Sequence, residues 1–363
     1  MPVMDIERPS GVPRPFEGGD PTARGPRPPG ARPRGGPGEH RHPRAGWEPL
    51  SGEDLLERLR ITGRPRPRAH PDLVQGLRSG LESGLRAQGR GGVGGRQGPG
   101  PLVVTKGRLT RVLACETHHV ATEFGQRPNS VALACGAIVD ALFRQLVTVG
   151  SIGDPMADGL AALAVDDRQS DLVGWVERLP GTERGELGAE VERQAEGLRR
   201  RWPALHPAWL PRTQETMRVR LADGAFELST RVDLAIGRPA GDVASVAIVE
   251  VKSGSRRAED RADLHFSALL ETLRSPAPPF VVATYYTRTG ELDVDPVTDE
   301  LLMGAAGRTL IGARLLADLA GGAEPGRTAN PLCGRCSVLP DCDLGQAHLG
   351  GSGTCAHGDG GMR

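Results

Sequence analysis

The ten residues SVAIVEVKSG (245–254) decide the fold, because they are typical of a buried strand that ends in charged side chains. The apolar run AIV (247–249) is continuous, as expected of a strand that is covered on both faces. Side chains two positions apart share a face, so Glu250 and Lys252 project together while Val251 points to the opposite face. A buried carboxylate and ammonium are costly without partners or a task. The stretch therefore predicts both a central strand and a functional site.

The segments around this strand predict an α/β fold with a mixed central sheet flanked by helices. Apolar spacing of two marks strands, and spacing of three and four marks helices. The order of helices, a three-strand meander, then helix, strand and helix is typical of a layered α/β domain. Strands are predicted at 215–221, 225–237, 243–254 and 279–288, and helices within 104–124, 129–150, 156–200, 258–274 and 299–322.

The composition of the first hundred residues differs from that of the rest of the chain. Stretches such as RPRPPGARPRGGPG cannot bury enough apolar surface to offset the entropy of ordering, so 1–100 is predicted to be a mostly disordered arm. Two segments with helical leucine spacing, 52–60 and 70–89, are predicted to dock on the folded part. The arm carries 17 arginines and 11 acidic residues, a local charge of +6, whereas 101–363 carries −6. We expect a folded domain over 101–345 and a flexible Gly-rich tail over 346–363.

Several classes of protein are disfavoured by what the sequence lacks. We expect no apolar run long enough to span a membrane, and the N-terminus lacks the pattern of a secretory signal, so a cytoplasmic protein is expected. Six cysteines in a reducing compartment favour metal ligation or free thiols over disulfides. No phosphate-binding glycine pattern follows any predicted strand, so nucleotide hydrolysis is not indicated.

A second carboxylate is predicted to join Glu250. Asp233 lies among apolar residues on the preceding predicted strand, and pairing of the two strands would let both carboxylates bind one divalent ion, Mg²⁺ or Mn²⁺. Such an ion polarises a phosphodiester, and a lysine beside it neutralises developing charge. The alternative is a cross-strand ion pair on a solvated face. The sequence does not decide between the two, because the register of the hairpin cannot be fixed from sequence.

The two strands together, RVDLAIG (231–237) and VAIVEVKSG (246–254), resemble the PD-(D/E)XK nuclease superfamily, in particular its RecB-like branch. The resemblance covers about 105–345 and implies a restriction-endonuclease-like core. It implies that Asp233 and Glu250 bind the metal, that the Val251 carbonyl joins them, and that Lys252 is the catalytic lysine.

The cysteines near the C-terminus form the pattern C-x2-C-x5-C. Cys333, Cys336 and Cys342 are one ligand short of a tetrahedral site or a cubane cluster. This layout resembles that of the AddB-type helicase-nuclease subunits and the CRISPR-adaptation nucleases, which have one further cysteine upstream. The resemblance implies that Cys115 is this residue and that the four cysteines bind a 4Fe–4S cluster. Zinc, or thiols without a metal, remain alternatives. Cys135 is expected in the core and Cys355 unligated.

Two positions depart from the pattern of the RecB-like branch. The histidine that follows glycine by four positions is replaced by Asp140, which can also bind a hard cation. His118 and His119 are alternatives to it. On the helix after the catalytic lysine, the usual glutamine is replaced by His265, which is predicted to contact a phosphate or a water; the alternative is a partly buried structural histidine.

Three functions follow as hypotheses. The first is a metal-dependent nuclease acting on single-stranded DNA or DNA ends, in DNA repair, with a structural iron–sulfur cluster. The second is an inactive nucleic-acid-binding or assembly module of the same fold, a partner of a helicase on another chain. The third is a zinc-stabilised protein of unrelated function. For the first, a positive track for DNA is expected from 199–201, from Arg256 and Arg257, or from the arm.

Overall fold

The computed structural model describes residues 52–59, 66–88, 100–125, 128–166 and 169–351. The predictions for the remainder of the arm, for the tail beyond 351 and for Cys355 lie outside these residues. The predicted mixed α/β fold is confirmed, because the described part of the chain forms one mixed sheet of six strands with helices packed on both faces.

The helices and strands are as follows. The helices are α1 (Gly52–Arg58), α2 (Pro71–Gln88), α3 (Lys106–Ala114), α4 (Glu116–Phe124), α5 (Val131–Val149), α6 (Pro155–Ala164), α7 (Ser170–Glu177), α8 (Gly181–Arg201), α9 (Ala258–Arg274), α10 (Asp299–Ala320) and α11 (Asp343–Gly351). The strands are β1 (Leu102–Thr105), β2 (Arg212–Leu221), β3 (Phe226–Ile236), β4 (Ala247–Lys252), β5 (Val281–Tyr286) and β6 (Glu291–Pro296). Short β1 was not predicted as a strand, and β6 replaces a predicted turn.

Strand β3 is the centre of the sheet and creates the gap in which the site lies. Antiparallel β2 pairs with almost its whole length. Along the other edge of β3, parallel β1 pairs with 226–229 and antiparallel β4 pairs with 234–236. Because β1 and β4 run in opposite directions along this edge, their carboxyl ends face each other across 230–233.

The sheet separates two hydrophobic cores, because alternate strand side chains point to opposite faces. One core lies under α2, α3, α9 and α10, and the other under α1, α5, α7 and α8. The first core takes, among others, Leu228, Val232, Ile248 and Val282, and the second takes Leu234, Val249, Ala283 and Tyr285, so the alternation of β3 is interrupted between Val232 and Leu234. The strand β4 is thus covered on both faces, as its apolar run predicts.

The two leucine-spaced segments of the predicted arm are folded as α1 and α2. Leu55 and Leu59 enter one core, whereas Leu77, Leu81 and Leu85 enter the other. Within the described residues, therefore, the folded part begins before the predicted boundary at 101. Each helix buries one leucine face, which is the docking that the spacing predicts.

Helix α5 corrects one expectation from the sequence. By length and composition alone it is apolar enough to cross a membrane, although no such run was expected. In the fold its residues Ile138, Leu142 and Phe143 are buried in the core, as in the central helix of a globular domain. Asp140 lies in its middle and turns towards the sheet edge described next.

Candidate metal centre

A cleft of about 570 Å³ opens where the carboxyl ends of β1 and β4 face each other across β3. The sequence-predicted residues Asp140, Asp233, Glu250, Val251 and Lys252 all line this cleft. Their placement follows from topology: β1 pairs with 226–229 and the pairing of β4 with β3 ends at Val249, so the residues at the ends of β1 and β4 border the stretch of β3 between them.

Asp233 lines the cleft next to Glu250. Its Oδ2 accepts a hydrogen bond from the Val251 backbone N–H at 2.7 Å, and its carboxyl group hydrogen-bonds Glu250. Burial, followed by the negative charges of Glu250 and Asp140, raises the pKa of Asp233 well above its usual value. The crowding of these carboxyl groups therefore favours the binding of a proton or of a further cation at Asp233.

Glu250 is 2% exposed and contacts both lysines of the chain. Lys106 Nζ forms an ion pair with its Oε1, and Lys252 Nζ lies 3.7 Å from its Oε2. Burial alone would raise the pKa of Glu250, but the two ammonium groups outweigh burial, so this pKa lies below its usual value. Glu250 is thus the ionised member of the carboxyl pair.

Lys252 remains protonated in this environment. Burial acts to lower its pKa, but the surrounding carboxylates, Glu250 first and then Asp233, raise the pKa above its usual value. The group can therefore donate hydrogen bonds and neutralise negative charge, whereas it is a poor general base at neutral pH.

Asp140 reaches the cleft from α5 and is held there by a residue that the sequence did not indicate. Gln214 on β2 donates its side-chain amide to Asp140 Oδ1 at 3.0 Å and to Oδ2 at 3.2 Å. Gln214 has φ of 55°, in the left-handed region, at the point where the β2–β3 ladder lacks a pair opposite Asp233. Burial raises the pKa of Asp140, as it does that of Asp233.

The structure does not bring His265 into the cleft. His265 Nε2 lies 3.0 Å from Asp295 Oδ2, on the far side of α9. Asp263, two residues earlier, instead lines a second cleft of about 360 Å³ that shares Asp140, Val251 and Lys252 with the first. Asp263 accepts a hydrogen bond from Thr110, and burial raises its pKa.

The two other histidines suggested by the sequence also lie away from the cleft. His118 lines the cysteine cavity described next. His119 is 4% exposed, and burial lowers its pKa to about 4, so it is a neutral core residue. Asp140 is therefore the residue of α4 and α5 that reaches the carboxylates.

The cysteine cavity, defined by Cys115, Cys333, Cys336 and Cys342, brings together the four predicted cluster ligands. Its volume is about 20 Å³. Backbone N–H groups of Asn330 and Gly345 donate to the sulfurs of Cys333 and Cys342, each at 3.4 Å. Among the residues that the structure describes, no three His, Cys, Asp or Glu side chains are close enough to form a metal site as they stand. Cys135 is buried in the core, as predicted.

The arginines expected to form a positive track differ in how they are bound. Arg199 and Arg200 pair with glutamates of their own helix, and Arg201 donates to the Thr289 carbonyl. Arg257 lines both the second cleft and an adjoining groove of about 470 Å³. Arg218 and Arg231, which the sequence did not single out, line the first cleft itself.

Comparisons with known proteins found distant structural likeness only. No family model and no curated protein matches the chain. The crystal structure of a "Putative exonuclease" from Eubacterium rectale is similar over 68% of this chain and 87% of that one, with a TM-score of 0.38 and 14% identity. The crystal structure of SSO0001 is similar over 66% of this chain and 95% of that one, with a TM-score of 0.25 and 11% identity. At these TM-scores, nothing about this chain is inferred from either structure.

Proposed function

We propose that this chain is a metal-dependent nuclease that hydrolyses phosphodiester bonds in DNA, with single-stranded ends as its first expected substrate. One observation carries the proposal: three carboxyl groups, those of Asp140, Asp233 and Glu250, line one cleft together with the ammonium group of Lys252. Strand ends and a helix from distant parts of the sequence supply these groups.

The donor set fits a hard divalent cation such as Mg²⁺ or Mn²⁺. These ions prefer carboxylate oxygens and retain several waters, for which the open cleft has room. The raised pKa values of Asp140 and Asp233 support this assignment, because the carboxyl groups are crowded beyond what the two lysines neutralise. Asp140, Asp233 and Glu250 would hold the ion, and the Val251 carbonyl is a further proposed ligand.

When bound, such an ion polarises the phosphodiester and lowers the pKa of a coordinated water. Lys252 stays protonated and neutralises charge on the phosphoryl oxygens. Thr216, Arg218 and Arg231 line the same cleft and supply donors to the flanking phosphates. The protein thus positions the nucleic acid and stabilises developing charge.

The test compares wild type with Asp233→Asn and Lys252→Ala on end-labelled single-stranded DNA with Mg²⁺ or Mn²⁺. We expect each substitution to lower the cleavage rate by about 10²–10³-fold, as removal of one charge-stabilising group does elsewhere. Asp318→Asn, on the exposed surface of α10 beside Arg314, is a matched control that should cleave at the wild-type rate. Equal, negligible rates in wild type and Lys252→Ala would contradict the proposal.

A second candidate is a non-catalytic nucleic-acid-binding or assembly module, a partner of a helicase on another chain. The ion pair between Lys106 and Glu250 favours it, because the pair neutralises a proposed metal ligand from within the chain. This candidate predicts DNA binding without cleavage, and binding that is the same with and without Mg²⁺. An electrophoretic shift in EDTA, compared with the cleavage assay, separates the two.

We also propose a 4Fe–4S cluster at the cysteine cavity, with a structural role. The donor set supports it: four thiols from both ends of the domain line one cavity, and two already accept backbone hydrogen bonds of the kind that stabilise thiolate ligands. After anaerobic purification, a cluster gives brown protein with about four iron and four sulfide per chain. Colourless protein with one zinc per chain would contradict the cluster and indicate a zinc site instead.

A further inference from the structure

The chain contains only two lysines among its 45 basic Lys and Arg residues, and both contact Glu250. Lys252 was the predicted partner, two residues along the same strand. Lys106 comes from the opposite side of the gap, at the first position of α3. The proposed hydrolysis needs one lysine, so the second requires its own explanation.

Topology places Lys106 where it is. Thr105, the last residue of β1, pairs with Ser229, and its side chain caps α3 by accepting from the Arg108 N–H at 3.2 Å. The next residue, Lys106, then extends across the gap along β3. Its Nζ reaches the Arg231 carbonyl at 3.2 Å and Glu250 Oε1, and its side chain is 23% exposed.

We propose that Lys106 is a displaceable internal cation, which holds Glu250 in the metal-free protein and gives up this carboxylate to a divalent ion. The inference rests on the proposed function, because it concerns the same carboxylates. Lys106 and the ion compete for the same carboxylate oxygen, Glu250 Oε1.

The chemistry of lysine suits this exchange. Its ammonium is a compact charge on a flexible four-carbon chain, so it can leave one oxygen and remain in the cleft. An arginine would hold a carboxylate through two parallel hydrogen bonds and would be harder to displace. After exchange, the ammonium remains among Thr105, Ser229 and Arg231 at the wall of the cleft, where a phosphate of the nucleic acid could accept from it.

The test measures Mn²⁺ and Mg²⁺ binding directly, by electron paramagnetic resonance and calorimetry, without substrate. Lys106→Met removes the competing charge at similar side-chain length, and we expect binding about tenfold tighter than in wild type. Lys106→Arg retains the charge in a firmer pairing, and we expect weaker binding than in wild type. Circular dichroism confirms that each variant is folded.

Arg144→Met is the control for charge alone, because the charge of Arg144 lowers the pKa of Asp140, whereas Arg144 is not among the groups that shift the pKa of Glu250. Its effect should be under about threefold and should fade as salt is raised, whereas the effect of Lys106→Met should persist. If Arg144→Met tightens metal binding as much as Lys106→Met does, the effect is explained by repulsion between the metal ion and nearby positive charges, and displacement of Lys106 is not needed.

The outcomes separate this inference from the proposed function. If wild type binds metal and Lys106→Met binds it equally or more weakly, the inference is overturned and the nuclease proposal stands. If only Lys106→Met binds metal, the inference is supported and the wild-type chain is held in its metal-free form. If neither binds metal, both fall.

Discussion

The carboxylate cleft and the cysteine cavity are built in opposite ways. The cleft is held by the sheet: its residues sit at strand ends, and their charged groups already pair with one another. The cavity lies between the α3–α4 junction and the turns after α10, and contacts between these chain segments hold it. Loss of a ligand should therefore affect chemistry at the cleft and stability at the cavity.

The largest effect on stability is expected at the cavity. Cys333→Ser removes a buried sulfur that accepts the Asn330 N–H, and we expect the free energy of unfolding to fall by about 4 kcal/mol if a metal or cluster is bound there. Denaturant unfolding of anaerobically purified protein measures the change, and the visible absorbance should be lost with it.

Cys135→Ser is the matched control, because Cys135 is buried but lies on α5, outside the cavity. It should retain the wild-type absorbance and metal content. Equal losses of stability in both variants, with no change in bound metal, would show that the cavity is only a packed corner of the fold.

A smaller loss of stability is expected when the contact between the two chain segments is weakened. Asn330 donates its side-chain amide to the Ala114 carbonyl at 3.2 Å and accepts from the Leu332 N–H at 2.8 Å. Asn330→Ala removes both bonds, and we expect a cost of about 2 kcal/mol by denaturant unfolding. The cleft should be unaffected, so unchanged metal binding there is the internal control, and a parallel loss would contradict the separation of the two regions.

The parts of the site that could be predicted from sequence are those fixed by strand alternation. Glu250 and Lys252 share a face because they are two residues apart. The apolar flanks of β4 also predict its central position. These inferences need only a period of two, whereas the place of Asp233 also depends on the register of β3 with β4 and on the interrupted alternation of β3, which the sequence does not fix.

The missed residues depend on longer-range geometry. Lys106 reaches Glu250 only because the short strand β1 stops opposite the end of β4, although the scarcity of lysine was a signal that could have singled it out. Gln214 requires a left-handed backbone inside a strand, which no local pattern indicates. On α9, two residues along the helix correspond to a rotation of more than half a turn about its axis. Asp263 therefore faces the second cleft and His265 does not.

At the cleft, an intermediate effect is expected from Gln214, which positions Asp140. Gln214→Ala removes both hydrogen bonds to Asp140, and we expect Mn²⁺ binding about tenfold weaker, as for other residues that orient a metal ligand. Gln214→Gly is the companion variant: it loses the same amide but tolerates positive φ, so it should match the metal affinity of the alanine variant and unfold at a higher temperature. If both variants bind Mn²⁺ with wild-type affinity, Gln214 does not position Asp140 for metal binding.

The smallest effect, and the sharpest contrast between the regions, is expected in the pH dependence of stability. The pKa of Asp233 is raised in the folded metal-free protein, so the native state binds more protons than the unfolded state, and stability falls as pH rises above the ordinary aspartate pKa. Asp233→Asn should remove this slope and raise Tm at pH 7.5 by about 3 °C in EDTA. Asn fits the site because its oxygen can accept the Val251 N–H while its amide donates to Glu250.

His119, on the helix that follows Cys115, has the opposite effect from Asp233 on the pH dependence of stability. Its pKa is lowered from 6.5 to about 4, so the unfolded state binds more protons, and stability is lost as pH falls below 6.5, by up to about 1.4 kcal/mol per unit. Relative to wild type, His119→Gln should therefore gain in Tm on going from pH 7 to pH 5, while Asp233→Asn should lose. Thermal melts of the three proteins in EDTA at these two values measure both slopes. Slopes of the same sign would contradict the raised pKa of Asp233 in the metal-free protein.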